Sequence, residues 1–560
     1  MALRLGDILV EKGLITKDDL SKALEIQQDE KTFLGRVLVD QGLVAESDLL
    51  ETLSEQQGLS FVKLRDRVIS DDIVRLVPAK FVRHYNIMPI SFADDVLTIA
   101  VSNPFDMWPV DDLESNLGYR VERVLATSAD ISECIQKHYG VAADTIERIL
   151  TDDAVDIGED EETEDLERMA ENASVVKVVN QILQEAIRER ATDIHFERFR
   201  GEVRLRYRID GILRGTPVSE NIRYLYPAVI SRIKILSGLD IIERRLPQDG
   251  RAKVKVGGSE YDLRISVMPT MHGENVVIRV LPTTMMFDLA DLGLAAADRE
   301  TLESLIHTPH GILFVTGPTG SGKSTTLYAC LSQLNEAERK VVTIEDPVEY
   351  ELAGVSQVQI NAKIGLDFAR TLRSMLRHDP DVIMVGEIRD AETASIANRA
   401  ALTGHLVLST LHTNDAASGA TRLVDIGLEP YLVASSVRAF LAQRLVRKVC
   451  SHCAQEMTME PDVLAQFEYK GKRSASSIKY KKGIGCDECG HTGYRGRTAI
   501  YEILLVDNEI RGLITEKTSA DIIKAAAIKA GMQPLRANGF QKILDGITTP
   551  EEVLRVTALD

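Results

Sequence analysis

The sequence predicts a multidomain α/β protein organised around a phosphate-binding core, and three observations carry that reading. Ile312–Thr326, ILFVTGPTGSGKSTT, joins an apolar, β-rich run to a helical one through the pattern G-x-x-x-x-G-K-[ST]. Two further apolar runs, Val341–Ile344 and Val382–Val385, each end in an acidic segment. The chain, at 560 residues, is also too long for a single core and has room for several domains.

Composition bounds the rest. Apolar residues make up 44% and charged residues 27%, enough for packed cores and a water-compatible surface. No apolar run reaches the ~18 residues of a membrane-spanning helix. The start, MALRLGDILVEKG, lacks the basic and apolar regions of a secretory signal, so a cytoplasmic address is expected. A net charge of −19 argues against a general nucleic-acid binder, and any membrane contact would be local or through a partner.

Residues 1–60 form a tandem repeat. Leu5-Gly6-x-x-Leu9-Val10-x-x-Gly13-Leu14 returns as Leu34-Gly35-x-x-Leu38-Val39-x-x-Gly42-Leu43, 29 positions later. One reading is a helical repeat whose leucines build a core and whose glycines end helices. The other is that backbone N–H groups at those helix ends receive a phosphate-containing ligand. Residues 61–145 read as a small α/β domain, with a strand at Val96–Val101, a turn at Asn103-Pro104 and a helix at Ile131–Tyr139. An adaptor role suits it. Residues 146–172 are an acidic linker whose charges repel one another.

Residues 173–288 open with a helix at Val175–Arg188 and continue into strands. Alternation over Val203–Ile209 puts Arg204, Arg206 and Arg208 on one face, and Arg264 and Arg279 follow. Such a face is either simply solvated or closes over the γ-phosphate of a bound nucleotide.

The core spans residues 289–445. In the loop Gly317, Pro318, Thr319, Gly320, Ser321, Gly322 the glycines let the backbone N–H groups, which Pro318 alone lacks, turn inward around a polyphosphate, and after Ser324 the helix that follows begins at Thr325. Lys323 reaches the β- and γ-phosphates, and the Ser324 hydroxyl helps hold Mg²⁺. The strands ending at Ile344 and Val385 deliver Glu345 to Glu349 and Glu387 to the same edge, where metal and attacking water are handled. His405 and His412 bracket a strand at Leu406–Ser409, a pattern suited to sensing the γ-phosphate.

Cys134 and Cys330 sit in apolar helical patterns and read as core residues. Within residues 446–500, Cys450-x-x-Cys453 and Cys486-x-x-Cys489 are separated by 32 residues. Two such knuckles complete a tetrahedral Zn²⁺ site, with two redox pairs as the alternative. The basic residues around them are either ordinary surface charge or a docking surface. Residues 501–560 read as a helical tail from Glu502 onward, with Pro550 at the first position of a helix.

The segments GPTGSGKS, TIEDPVEY, LRHDPDVIMVGEIRD and TGHLVLSTLHTN resemble the four motifs of the type II secretion and type IV pilus assembly ATPases. The match extends through RIDG, PQDGR and the cysteines, over most of residues 175–560. The resemblance implies a RecA-like P-loop ATPase core, preceded by a PAS-like α+β subdomain and followed by a tetracysteine zinc subdomain. It implies ATP as substrate, Glu349 as the residue that activates water, and Glu387 at the Walker B position beside Mg²⁺. His405 and His412 fall on the family's histidine box, and Arg208, Arg264 and Arg279 on strands that supply arginines to the nucleotide. A homohexamer is implied, with neighbouring subunits completing each site. So are an inner-membrane platform protein and a cytoplasmic domain of the machinery as partners, and peripheral attachment to the membrane through them.

The pattern RLGxxLVxxGLIxxxxLxxALxxQ resembles an MshEN-like N-terminal domain that binds cyclic di-GMP, which implies Arg4, Leu5 and Gly6 as ligand contacts. The second copy carries Phe33 in place of the leading arginine. The expected function is a Mg²⁺-dependent ATPase powering pseudopilus assembly in type II secretion under cyclic di-GMP control. RTAIYEILLVDNEIRGLI resembles the secretion branch more than the pilus branch. Pilus extension is the alternative within the family, and a nucleic-acid translocase the alternative outside it. The lack of a basic, aromatic-interleaved stripe counts against the last.

Overall fold

The computed structural model describes residues 5–30, 33–67, 69–142, 145–146, 172–283, 288–467 and 477–558. Arg4 and nearly all of the acidic linker lie outside them. The chain divides into two compact units, Met1–Leu281 and Pro282–Asp560.

The repeat at the start of the first unit is two helical pairs, α1 (Leu5–Glu11) with α2 (Lys17–Glu30) and α3 (Leu34–Asp40) with α4 (Glu46–Gln57). Its glycines have structural work. A Cβ on Gly6 would stand 2.6 Å from Leu20 Cδ1, and one on Gly35 3.0 Å from Leu49 Cδ2, so each first helix lies directly against its second. Gly13 and Gly42 take φ of 72° and 68° and end α1 and α3, where only glycine is unstrained. Phe33 stands before α3 and stacks on Phe105 at 6.2 Å between ring centroids.

A three-stranded sheet follows in the order β1 (Met88–Ala93), β2 (Val96–Val101), β3 (Arg120–Leu125) and shares one apolar core with the repeat. The helix Ser128–Tyr139 closes it and buries Cys134. A second core lies between the helices Ala173–Arg188 and Ile222–Leu236 and a six-stranded sheet. Its strands are β4 (Ala191–Phe199), β5 (Glu202–Ile209), β6 (Ile212–Thr216), β7 (Gln248–Val256), β8 (Ser259–Thr270) and β9 (Gly273–Pro282), in the order β6-β5-β4-β9-β8-β7. Leu205 and Tyr207 point into this core while Arg204, Arg206 and Arg208 stay on the other face, as alternation requires.

The second unit is built on β10 (Gly311–Thr316), β11 (Val341–Glu345), β12 (Ser356–Gln359), β13 (Val382–Val385), β14 (Leu406–Leu411), β15 (Val437–Val449) and a late strand that joins them. Every residue of β10, β11, β13 and β14 is buried, the mark of a parallel sheet covered on both faces. Successive residues feed opposite cores: Ile312 and Phe314 one, Leu313 and Val315 the other. Between β15 and the late strand the chain makes a small lobe with a hairpin of β16 (Ala454–Thr458) and β17 (Lys479–Gly483). The late strand, β18 (Tyr494–Leu505), pairs antiparallel with β15, giving the order β12-β11-β13-β14-β10-β15-β18. Glu502–Leu505, expected as the start of a helix, therefore ends a strand, because its apolar run finds β15 as a partner. Helices occupy the tail only from Asn508, and the last starts at Pro550 with the Thr549 hydroxyl as its cap.

Candidate active site and thiolate cluster

The loop from Gly317 to Gly322 leaves the end of β10 and enters the helix Lys323–Leu334. Gly317, Gly320 and Gly322 hold φ of 148°, 78° and 90°, and a Cβ on Gly317 would meet Ser321 Oγ at 2.5 Å and the Gln443 carbonyl at 2.7 Å. The loop thus curls into a cradle that side chains would fill. Ser321 Oγ is buried there without a hydrogen-bond partner among the described residues. Lys323 Nζ donates to the carbonyls of Gly317 at 2.9 Å and Pro318 at 3.0 Å. Burial brings its pKa down to about 8; the Glu387 carboxylate opposes that shift and Arg444 adds to it. This donor set fits a polyphosphate, which would supply the charge that a half-buried ammonium lacks.

The sheet brings further groups to the same edge. Gly317 N–H bonds the carbonyl of Leu411 at 3.3 Å, so His412 follows directly beside the loop. His412 Nε2 lies 3.4 Å from one oxygen of Glu387, and Arg389 holds the other at 2.6 Å. Glu349 follows β11 after a cis Asp346-Pro347 bond.

His405 is not part of this gathering. Its carbonyl accepts the N–H of Gly311, at the opposite end of β10, and its Nδ1 lies 2.9 Å from the carbonyl of Ala400. The six residues of β14 separate it from His412, a reach of roughly 23 Å along the strand. The two histidines that flank β14 in sequence stand on opposite edges of the sheet. Within one chain, His405 does not share the site predicted for it.

Two buried side chains around the loop escape a sequence reading. Gln443, 1% exposed, donates from Nε2 to the Ser321 carbonyl at 2.7 Å and accepts the Thr326 hydroxyl at 2.8 Å. Tyr328, fully buried on the loop's helix, reaches Glu345 and the backbone of Glu349. A lone glutamine inside the apolar run FLAQRLV was the one available signal for the first.

In the first unit, Arg208 and Arg279 flank one carboxylate, with Asp193 Oδ2 3.7 Å from Arg208 Nε and Oδ1 3.2 Å from Arg279 Nε. Arg206 makes a two-pronged pair with Glu197, and Arg204 pairs with Glu202 at 2.7 Å. Arg264 lies on β8, the strand next to that of Arg279. The strand face is thus charge-matched rather than bare.

The four thiols converge. Sγ atoms of Cys450 and Cys486 are 3.7 Å apart, those of Cys453 and Cys489 3.9 Å, and those of Cys486 and Cys489 3.7 Å. Four sulfurs around a zinc at ~2.3 Å would be separated by about 3.8 Å, so the cluster has the size of that tetrahedron. N–H groups of Gly485, Cys486 and Gly493 point at Cys453 and Cys489 Sγ from 3.2–3.3 Å. Burial opposes ionisation of Cys489, yet the N–H groups of Cys486 and Gly493, with the neighbouring thiols, bring it down to about 7. Contacts between the two knuckles make them one site rather than two separate pairs.

The sequence model of the type II/IV secretion system protein family matches residues 168–555. That of the MshEN domain matches residues 57–145 and begins at the last residue of α4, beyond the tandem repeat on which the resemblance rests. The type IV pilus assembly ATPase PilB of Myxococcus xanthus is 44% identical over the whole of both chains. Type II secretion system protein E of Xanthomonas campestris is 40% identical over 99% of this chain and 98% of its own. Among solved structures, the ATPase DotB of Legionella pneumophila is 25% identical, with a TM-score of 0.50, over 68% of this chain and 95% of that one. A match to this family over most of the chain, with relatives of 40% identity or more along nearly the full length, places the chain in the type II/IV secretion system protein family as an ATPase of mixed α/β fold.

Proposed function

We propose that the chain works as a cytoplasmic, hexameric, Mg²⁺-dependent ATPase that powers pseudopilus assembly in type II secretion. The observation that carries the reading is the convergence of Lys323, Glu387 and His412 at the carboxyl ends of β10, β13 and β14. Lys323 and the loop N–H groups bind the β- and γ-phosphates and stabilise charge as the terminal bond breaks. Glu349 orients the attacking water and takes its proton, and His412 holds Glu387 in register. Mg²⁺, held by Ser324 and Glu387, would neutralise the phosphate oxygens. Arg208, Arg264 and Arg279, on the sheet that we read as the family's PAS-like subdomain, exchange Asp193 for nucleotide oxygens when subunits close.

The four cysteines hold a structural zinc, since four thiolates leave no open coordination position. The N-terminal region receives cyclic di-GMP, a reading supported by the repeat and by the adjoining MshEN match. An inner-membrane platform protein and a cytoplasmic domain of the machinery serve as partners and give peripheral attachment. Among the described residues no helix is long and apolar enough to cross a membrane. Pilus extension is the second reading, favoured by the full-length identity to the Myxococcus protein.

The test is steady-state ATP hydrolysis by the full chain, with its mass in solution measured in parallel. Lys323→Ala and Glu349→Gln should each lower kcat by a factor of about 10² or more, with the hexamer intact. Retention of the parent rate in either variant would overturn the assignment. Stimulation by single-stranded DNA rather than by a membrane partner would favour a translocase.

A further inference from the structure

The hydroxyl of Tyr328 stands where two parts of the site meet. Tyr328 lies on the helix that begins with Lys323, is fully buried, and packs its ring edge-on to Tyr350 at 5.9 Å. Its Oη donates to Glu345 Oε2 at the end of β11 and accepts the backbone N–H of Glu349 at 3.2 Å. The N–H of Tyr350 approaches the same oxygen at 3.5 Å. A phenol has one proton and two lone pairs, so donation to Glu345 fixes which side of the oxygen faces Glu349.

Glu345 is itself held. Thr343 Oγ1 donates to its other oxygen at 2.6 Å, and Gln357 Nε2 does so at 3.1 Å while also bonding the carbonyl of Tyr350 at 2.9 Å. Burial, then the Glu345 charge, pushes the phenol's pKa far up, which keeps it a donor throughout the working range. From Asp346 to Tyr350 the chain is in neither helix nor strand. The segment that ends in Glu349 is therefore aimed by tertiary contacts, and Tyr328 links it to the phosphate-binding helix.

We propose that Tyr328 is a positioning residue for Glu349: its hydroxyl ties the Glu349 amide to the helix that carries Lys323, and so keeps the carboxylate in register with the phosphates that Lys323 binds. The inference rests on the reading of Glu349 as the residue that handles water. Displacement of a reacting group by ~1 Å costs on the order of 10²-fold in rate, so one anchoring hydroxyl has leverage.

The experiment is Tyr328→Phe in the full chain, which keeps the ring and removes the hydroxyl. We expect kcat to fall at least about tenfold, with KM and the Kd for a non-hydrolysable ATP analogue within about twofold of the parent. In single-turnover measurements the same substitution should cost no more than about twofold in a Glu349→Gln background, because the residue it acts through is already disabled. Amide exchange over residues 345–350 should quicken while that of the helix Lys323–Leu334 stays unchanged.

A kcat within twofold of the parent, an equal loss in both backgrounds, or a weakened Kd would each overturn the proposal. Glu349→Gln alone separates the two readings: if it keeps the parent rate, the assignment of Glu349 fails whatever Tyr328 does. If Tyr328→Phe does not fold, Tyr328→Phe combined with Glu345→Gln removes the stranded carboxylate as well, and the same loss in kcat is expected of it.

Discussion

Gln443→Leu tests how the phosphate loop is held in shape. The substitution keeps the approximate volume and removes both hydrogen bonds, leaving the Ser321 carbonyl and the Thr326 hydroxyl without their partner in a region that is 3% and 0% exposed. A stranded buried polar group costs ~1–3 kcal/mol, so the pair comes to about 2–6 kcal/mol. For a domain of this size that corresponds to a fall in melting temperature of roughly 5–15 °C. The Ser321 carbonyl belongs to the loop itself, so nucleotide affinity should weaken along with stability. Differential scanning calorimetry and titration with a fluorescent ATP analogue read the two effects separately. Adding Thr326→Val removes one stranded partner and should recover part of the melting temperature without restoring affinity. A melting temperature within 2 °C of the parent together with an unchanged Kd would refute the reasoning.

Three other outcomes are expected. Cys486→Ser, or a strong chelator, should remove about one zinc per chain and expose the lobe between β15 and β18 to protease, while equal zinc content before and after would refute the cluster as a metal site. Burial opposes ionisation of Glu552, but Arg447 and Arg555 hold its carboxyl down to about 2, below its ordinary 4.5. The folded value is the lower one, so this contribution is complete above pH ~4.5, is worth roughly 3 kcal/mol, and is lost as pH falls toward 2. In Glu552→Gln, acid unfolding followed by circular dichroism should therefore depend less steeply on pH over that window than in the parent. Finally, His412→Ala should lower kcat at least about tenfold and His405→Ala should leave it within about twofold, unless a neighbouring subunit's site uses it; hydrolysis by dilute, monomeric protein distinguishes the two cases.

What the sequence made legible follows from how local each feature is. The phosphate loop, the acidic strand ends and the cysteine knuckles are each written within a few consecutive residues, and the structure gathers them as their spacing implies. Alternation in β5 likewise put Arg204, Arg206 and Arg208 on one face, but Glu197 and Asp193, the carboxylate partners of Arg206 and Arg208, sit on a neighbouring strand and could not be read from it. Gln443 escaped notice because its partners lie 117 and 122 residues earlier. His405 misled for the opposite reason. Proximity in sequence to His412 suggests a pair, whereas an extended strand carries the two to opposite edges. Glu502–Leu505 is apolar enough for helix or strand, and only the presence of β15 decides between them.

One strand joins two sites that the sequence keeps apart. β15 carries Gln443 against the phosphate loop and runs, without a break in its pairing to β18 until Arg447, to the first thiol of the cluster at Cys450. The seven steps from Gln443 to Cys450 span roughly 23 Å, and an extended chain pinned by a ladder of hydrogen bonds has little slack along the paired part. Whatever grips the cysteine lobe therefore holds a push-rod whose far end bears on the nucleotide cradle. Traction on the lobe would reach Ser321 along that ladder, and the register shift between Arg447 and Val449 is the one place on the way where the strand could absorb it.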